Sequence, residues 1–181
     1  MRLLAFCAAI MPVAVATAAS GAERYPSKAV RLIVPFAAGG NVDIVTRVIA
    51  RKLTEGLGQQ VVVDNRGGAG GVIGTELAAR ALPDGYTLLM VTASHVTNPG
   101  LRRLPYDTEK DFAAITIVAD VSIILVVHPS LPVRTVPELI ALAKAKPGQL
   151  NFGSGGNGTT AHLAAELLKS AAAVNLVHIP Y

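Results

Sequence analysis

The sequence predicts an α/β fold with mostly parallel strands, and two observations carry that prediction. Short β-branched runs alternate with amphipathic segments from residue 30 onward. Three of the turns that lead from a strand into a helix are glycine-rich.

At the N-terminus, Arg2 precedes an apolar run, and small residues follow at Ala16, Ala18, Ala19, Ser20 and Ala22. This pattern predicts a signal peptide over 1–22, cleaved near Ala18 or Ala22, with export to the periplasm. The run is too short for a bilayer span, which needs about 20 apolar residues. Cys7 lies inside the run, behind Phe6 and not after it, which argues against a lipoprotein. It is also the single cysteine, so the mature chain has none for disulfides, zinc clusters or thiol catalysis.

The first strand, 30–36, runs into Ala38, Gly39, Gly40 and Asn41 and then into a helix over 42–57. Val42, Val45, Val48, Ile49, Leu53 and Leu57 recur at helical spacing, which leaves Arg47, Arg51, Lys52 and Glu55 to water. Gly56 and Gly58 end the helix. A strand over 60–64, a turn over 65–71 and a helix over 72–82 follow, the last closed by Pro83-Asp84-Gly85. After a strand at 86–91, the stretch 92–111, with Pro99, Gly100 and Pro105, reads as a surface excursion. The apolar runs 115–118 and 123–128 read as buried strands. A helix over 136–146 with Pro137 near its start comes next. Then come a strand at 151–153, a third glycine turn, a helix over 159–172 and a strand at 176–179.

A glycine pair before a helix makes an anion cradle. With no side chains at Gly39 and Gly40, a ligand can approach the backbone, where the free N–H groups of the first helical turn point at it. Asp43, in that first turn, reads either as a helix cap or as a polar group in a ligand site. The turns at 65–71 and 153–158 share the design, and βα turns of an open sheet converge beyond the strands' carboxyl ends. Each alone also serves as a plain tight connection.

Other chemistries fit less well. None of the turns ends in the Gly-Lys-Ser/Thr of a P-loop, and none has Rossmann glycine spacing. Ser154 lacks the preceding glycine of a nucleophile elbow, so a small exported hydrolase using Ser154 and His162 is a weak alternative. His128 and His178 read as structural, and no histidine pair has metal-ligand spacing. No cofactor and no metal are predicted. A formal charge of +4 without a Lys/Arg block, and only 4% aromatics, exclude a nucleic-acid partner.

The run RLIVPFAAGGNVDIVTRVIARKLTEGLGQQVVVDNRGGAGGVIGTELAARALPDGYTLLM resembles the first half of the Bug family of extracytoplasmic solute receptors. KPGQLNFGSGGNGTTAHLAAELL and the terminal VHIPY match later motifs of that family in order. The resemblance implies a type II periplasmic-binding-protein architecture of two α/β lobes closing on a small carboxylated metabolite, with membrane permease subunits of a tripartite tricarboxylate-type transporter as partners. It implies a first lobe over 23–121 and a partial second lobe over 122–181. It also implies ligand contacts from Phe36, Ala38, Gly39, Gly40, Asn41 and Asp43 in the first cradle. Ser154, Gly155, Gly156, Asn157 and Thr159 are the implied contacts in the second, with Tyr181 beside the cleft.

Two positions depart from the family pattern. Asn41 stands where glycine, serine or threonine is usual, and Gly67 stands where proline is frequent and would loosen the cleft rim. Family members also continue beyond the HIPY motif. The second lobe and its return segment are therefore expected to be incomplete, leaving apolar faces such as Val118 and Leu125 uncovered. A truncated, nonfunctional receptor fragment is the corresponding alternative.

Overall fold

The computed structural model describes residues 24–181; the export segment expected at 1–22 lies outside the described residues. Two parallel sheets are present. The first has strand order β2-β1-β3, with β1 at Val30–Val34, β2 at Val61–Asn65 and β3 at Thr87–Leu89. In the second, β4 at Asn151–Ser154 pairs with β5 at Val177–Pro180. Both partners of β1 run parallel to it, so helices return the chain each time: α1 at Asn41–Leu57 and α2 at Val72–Ala79.

β1 is the buried centre of the first sheet. Val30, Leu32, Ile33 and Val34 are at most 3% exposed, as a parallel strand covered on both faces should be. Val30 and Leu32 cluster with Val61 and Ala50, and Leu53, Val63 and Leu88 pack around them. On the other face α2 comes down on the end of β1. A Cβ added at Gly74 would lie 2.6 Å from the Arg66 carbonyl oxygen and 2.8 Å from Pro35 Cα.

The buried seam of α1 differs from the periodicity. Asp43, Thr46 and Ala50 are its buried residues. Val48 is 63% exposed and Leu57 is also exposed. Thr46 and Thr54 can enter the seam because their hydroxyls donate to the Val42 and Ala50 carbonyls one turn back.

α3, Ser94–Leu101, lies within the stretch read as a surface excursion, and its Ser94 and Asn98 are buried. Pro99 lies inside this short helix, where its ring withholds the N–H that would close on the His95 carbonyl. α4, Val136–Ala145, starts with a capping box: Thr135 accepts from the Glu138 N–H, and Glu138 accepts from the Arg134 N–H at 2.6 Å. α5, Thr160–Ala172, packs on β4.

The strands expected at 115–118 and 123–128 do not form. Residues 113–128 carry no regular structure; Ile115, Ile117, Ile124 and Val126 are 77–82% exposed. A β-branched run supplies propensity, but a strand needs a neighbour, and among the described residues none pairs with this stretch. Val118 and Leu125 are uncovered, as expected.

Gly74→Ala sets helix propensity against sterics. Alanine favours a helix interior by about 1 kcal/mol over glycine, whereas forcing a methyl between two backbone segments costs roughly 1–3 kcal/mol. Urea unfolding should show a net loss of up to about 2 kcal/mol. A variant more stable than the parent would mean that α2 can stand off from the sheet.

Candidate functional site

The cradle after β1 is shaped from beneath by Asp43. Gly39 adopts φ +82°, which turns the chain into α1, and its N–H donates to Asp43 Oδ2 at 2.8 Å. Arg47 Nε donates to the same oxygen at 3.0 Å, and Asn65 Nδ2 donates to Oδ1 at 3.0 Å. Asn65 also reaches the Phe36 carbonyl, so β2 braces the cradle. These donors, Arg47 first and the Gly39 N–H next, hold the Asp43 carboxyl at about 2 against the opposing effect of burial. Of the two readings of Asp43, its contacts are those of a brace: the buried carboxylate is occupied by the protein's own donors.

Above it, Ala38, Gly39, Gly40 and Asn41 are exposed. Gly40 caps α1 without any side-chain cap bond, and Asn41 turns its Oδ1 onto the Val42 N–H at 2.9 Å. Among the described residues nothing accepts from the N–H groups of Ala38, Gly40 or Asn41.

The second cradle follows β4. Thr159 caps α5 by accepting from the His162 N–H, and its own hydroxyl donates to the Gly156 carbonyl at 2.8 Å. That hydroxyl is therefore spent inside the loop. Ser154, buried at the end of β4, lies 2.7 Å from His178 Nε2 and accepts from the Gly156 N–H. The histidine on Ser154 is thus His178, not His162, whose Nδ1 accepts from the Gly158 N–H at 3.1 Å. Gly155 and Asn157 are exposed, and their N–H groups have no acceptor among the described residues. Tyr181 donates its N–H to the Ser154 carbonyl, and its ring lies over Gly153.

The turn at 65–71 joins the two cradles and offers no third one. Gly67 fits against Phe36 and Ala37, where a Cβ would come within 3.2 Å of the Ala37 nitrogen. Instead of loosening the rim, its missing side chain permits close packing there. Four successive residues, Gly68 to Gly71, have positive φ, Ala69 among them. Two of the carbonyls they present are taken up by α3 and the residue that follows it: Asn98 Nδ2 donates to Gly70 and Arg102 Nη1 to Ala69. Arg102 Nη2 donates to the Asn157 carbonyl at 3.1 Å, so one guanidinium holds both glycine turns. A Cβ at Gly70 would lie 2.5 Å from that same carbonyl oxygen. Sequence reasoning missed Asn65, Asn98, Arg102 and His178. Pro99, Gly100 and Pro105 made 92–111 read as a surface excursion, which hid Asn98 and Arg102, the two residues that bind these turns. An open depression of about 730 Å3 over 99–111 touches this region only at Arg102.

This arrangement of parallel sheets and helices matches the fold of periplasmic binding proteins, covering 53% of the solved chains. The chain belongs to the tripartite tricarboxylate transporter family receptor (TctC) family, whose model matches residues 45–181. It is similar to Protein BugT of Bordetella pertussis, 42% identical over 185 residues that cover 99% of this chain and 56% of BugT. It is also similar to the solved structure of R. palustris Rpa4515 with adipate (38% identity, TM-score 0.82, covering 87% of this chain and 53% of that one). A further likeness is to MatC (Rpa3494) from Rhodopseudomonas palustris with bound malate (27% identity, TM-score 0.80, 87% and 54%). The chain spans about half the length of the curated relatives it matches.

Asp43 gives the cradle an acid limit. Its carboxyl is depressed from 3.8 to about 2, so the stability it contributes is complete above about pH 4 and is lost as pH falls through 2. Asn at this position would place its NH2 either against both the Gly39 N–H and Arg47, which share Oδ2, or against Asn65 Nδ2, which donates to Oδ1. Asp43→Asn should lower the urea midpoint at neutral pH and flatten its decline between about pH 4 and 2. A variant whose midpoint falls as the parent's does would show that another group carries that decline.

Proposed function

We propose that the chain is the ligand-gripping portion of a periplasmic solute receptor of the tripartite tricarboxylate transporter type. It holds a small carboxylated metabolite between the cradle at 36–43 and the cradle at 153–159 and passes it to the membrane permease subunits. The lobes divide near residue 121, and the segment 1–22 directs export. Capture is binding without turnover.

The observation that carries this reading is the pair of exposed cradles. Each has unclaimed backbone N–H groups at the start of a long helix, α1 or α5, and Arg102 ties the second cradle to the turn that packs on the first. Backbone N–H groups at a helix N-terminus suit a carboxylate without needing a cation. The adipate of Rpa4515 and the malate of MatC support a dicarboxylate as the first compound to try.

Gly40→Pro tests the first cradle. Gly40 has φ −73°, which proline itself adopts, so the substitution removes one N–H, with Gly39 at φ +82° as the residue that must accommodate the ring. One lost hydrogen bond to a charged group is worth roughly 1.5–3 kcal/mol, or about 10- to 100-fold in affinity. Calorimetric titration with adipate and with malate should show binding by the parent protein and that degree of weakening in the variant, at an unchanged unfolding midpoint. Failure of both diacids to bind the parent, or equal binding by the variant, would overturn this assignment.

A further inference from the structure

Ser154 is the one side-chain hydroxyl of the second cradle not already committed to capping, and what controls its proton is His178. The Oγ–Nε2 separation of 2.7 Å is shorter than the 3.2 Å from Oγ to the Gly156 carbonyl, which Thr159 already serves at 2.8 Å. The Gly156 N–H points at Oγ as a donor. The arrangement that satisfies all three groups has the Ser154 hydroxyl donating to an unprotonated Nε2. In that state the hydroxyl has no proton to offer a ligand.

We propose that His178 is a positioning residue of this cradle: on taking up a proton its Nε2 becomes a donor to Ser154 Oγ and releases the hydroxyl proton to a ligand carboxylate, coupling capture to proton uptake. The inference rests on the receptor reading above.

The surroundings of His178 suit such a role. Its ring packs against both Phe152 and His162, with centroids 4.8 and 4.1 Å away and those two rings 6.4 Å from each other, while Nε2 reaches the loop at Ser154. His162 accepts the Gly158 N–H at Nδ1, so its Nδ1 is engaged within the loop. The charged groups nearby are Glu166 and Lys169 on α5, which pair with each other at 2.8 Å while Glu166 also lies 3.8 Å from His162 Nε2, and Arg102, just past α3, at the Asn157 carbonyl. Tyr181 closes the β5 side, and β4 contributes no charge. Burial, and next to it His162, holds His178 below the usual histidine range; Glu166 works upward and Lys169 downward. The empty cradle therefore keeps a neutral imidazole near neutral pH. An arriving carboxylate favours the cation, so its binding raises the proton affinity of His178 and takes a proton from solution.

The test is calorimetry of adipate binding to the full protein at about pH 6.5 in buffers of different ionisation enthalpy. A net uptake approaching one proton is expected, with affinity rising up to about tenfold per pH unit as pH falls. His178→Gln keeps a hydrogen-bonding group near Ser154 but cannot titrate, so it should bind with a flat pH profile and no uptake. Adipate binding without proton uptake by the parent protein, or undiminished uptake by His178→Gln, overturns this proposal and leaves the receptor reading standing. No binding of adipate or malate at any pH overturns both. Nitrogen NMR of the ligand-free imidazole provides a readout independent of folding in the variant: an Nδ1–H tautomer is expected, and an Nε2–H tautomer overturns the proposal.

Discussion

In a parallel sheet every strand ends at the same edge, so the turns that leave the strands emerge side by side. The remainder of this molecule depends on that constraint. β1 and β2 deliver the turns at 35–40 and 65–71 to one edge, close enough for Gly67 to lie against the Phe36–Ala37 backbone. Side chains would hold these backbones apart. Their absence at Gly67 and Gly70 lets the first turn, the second and the turn after β4 form one wall, in which main-chain polar groups are the working surface.

Such a wall must keep some N–H groups free while satisfying the rest. The division of labour is visible in the side chains. Asp43, Asn65 and Arg47 form a closed set under the first cradle, and their bonds to Gly39 and Phe36 fix its shape without covering its mouth. Thr159 and His162 do the same for the second, occupying the Gly156 carbonyl and the Gly158 N–H. Beneath the first sheet, Asp64 takes Arg31 and Arg66; burial works upward on its carboxyl, but the two guanidinium bonds outweigh it and hold it below its usual range. Asp43 is buried and Asp64 partly so, and each carboxylate is tolerated because donors surround it.

The cradles were legible in sequence because they depend on what glycine lacks and on where a helix begins, both of which show as residue type and spacing. The start of α4 was legible from Pro137 in its first turn, whereas its Thr135 and Glu138 cap emerged only in the structure. Asn98 and Arg102 were not, because they bind main-chain carbonyls, and a carbonyl leaves no mark on the residue that owns it. His178 looked like one more residue of an apolar strand; its partner Ser154 is distant in sequence and adjacent only through the β4–β5 register. The runs at 115–118 and 123–128 were misread because hydrophobicity reports a tendency to be covered, not the presence of a cover. The α1 seam was misjudged because a threonine whose hydroxyl bonds back to the helix behaves as an apolar residue there.

Arg102 has a mechanical consequence. Its bonds to Ala69 and Asn157, at 3.0 and 3.1 Å, reach from the turn after one sheet to the turn after the other. Hydrogen bonds of this type lapse once the heavy atoms separate beyond about 3.5 Å. With the guanidinium stationary, either carbonyl can therefore withdraw by less than about half an ångström before its link breaks. Slow swings of one sheet against the other thus register first at this side chain, which acts as a tether with almost no slack.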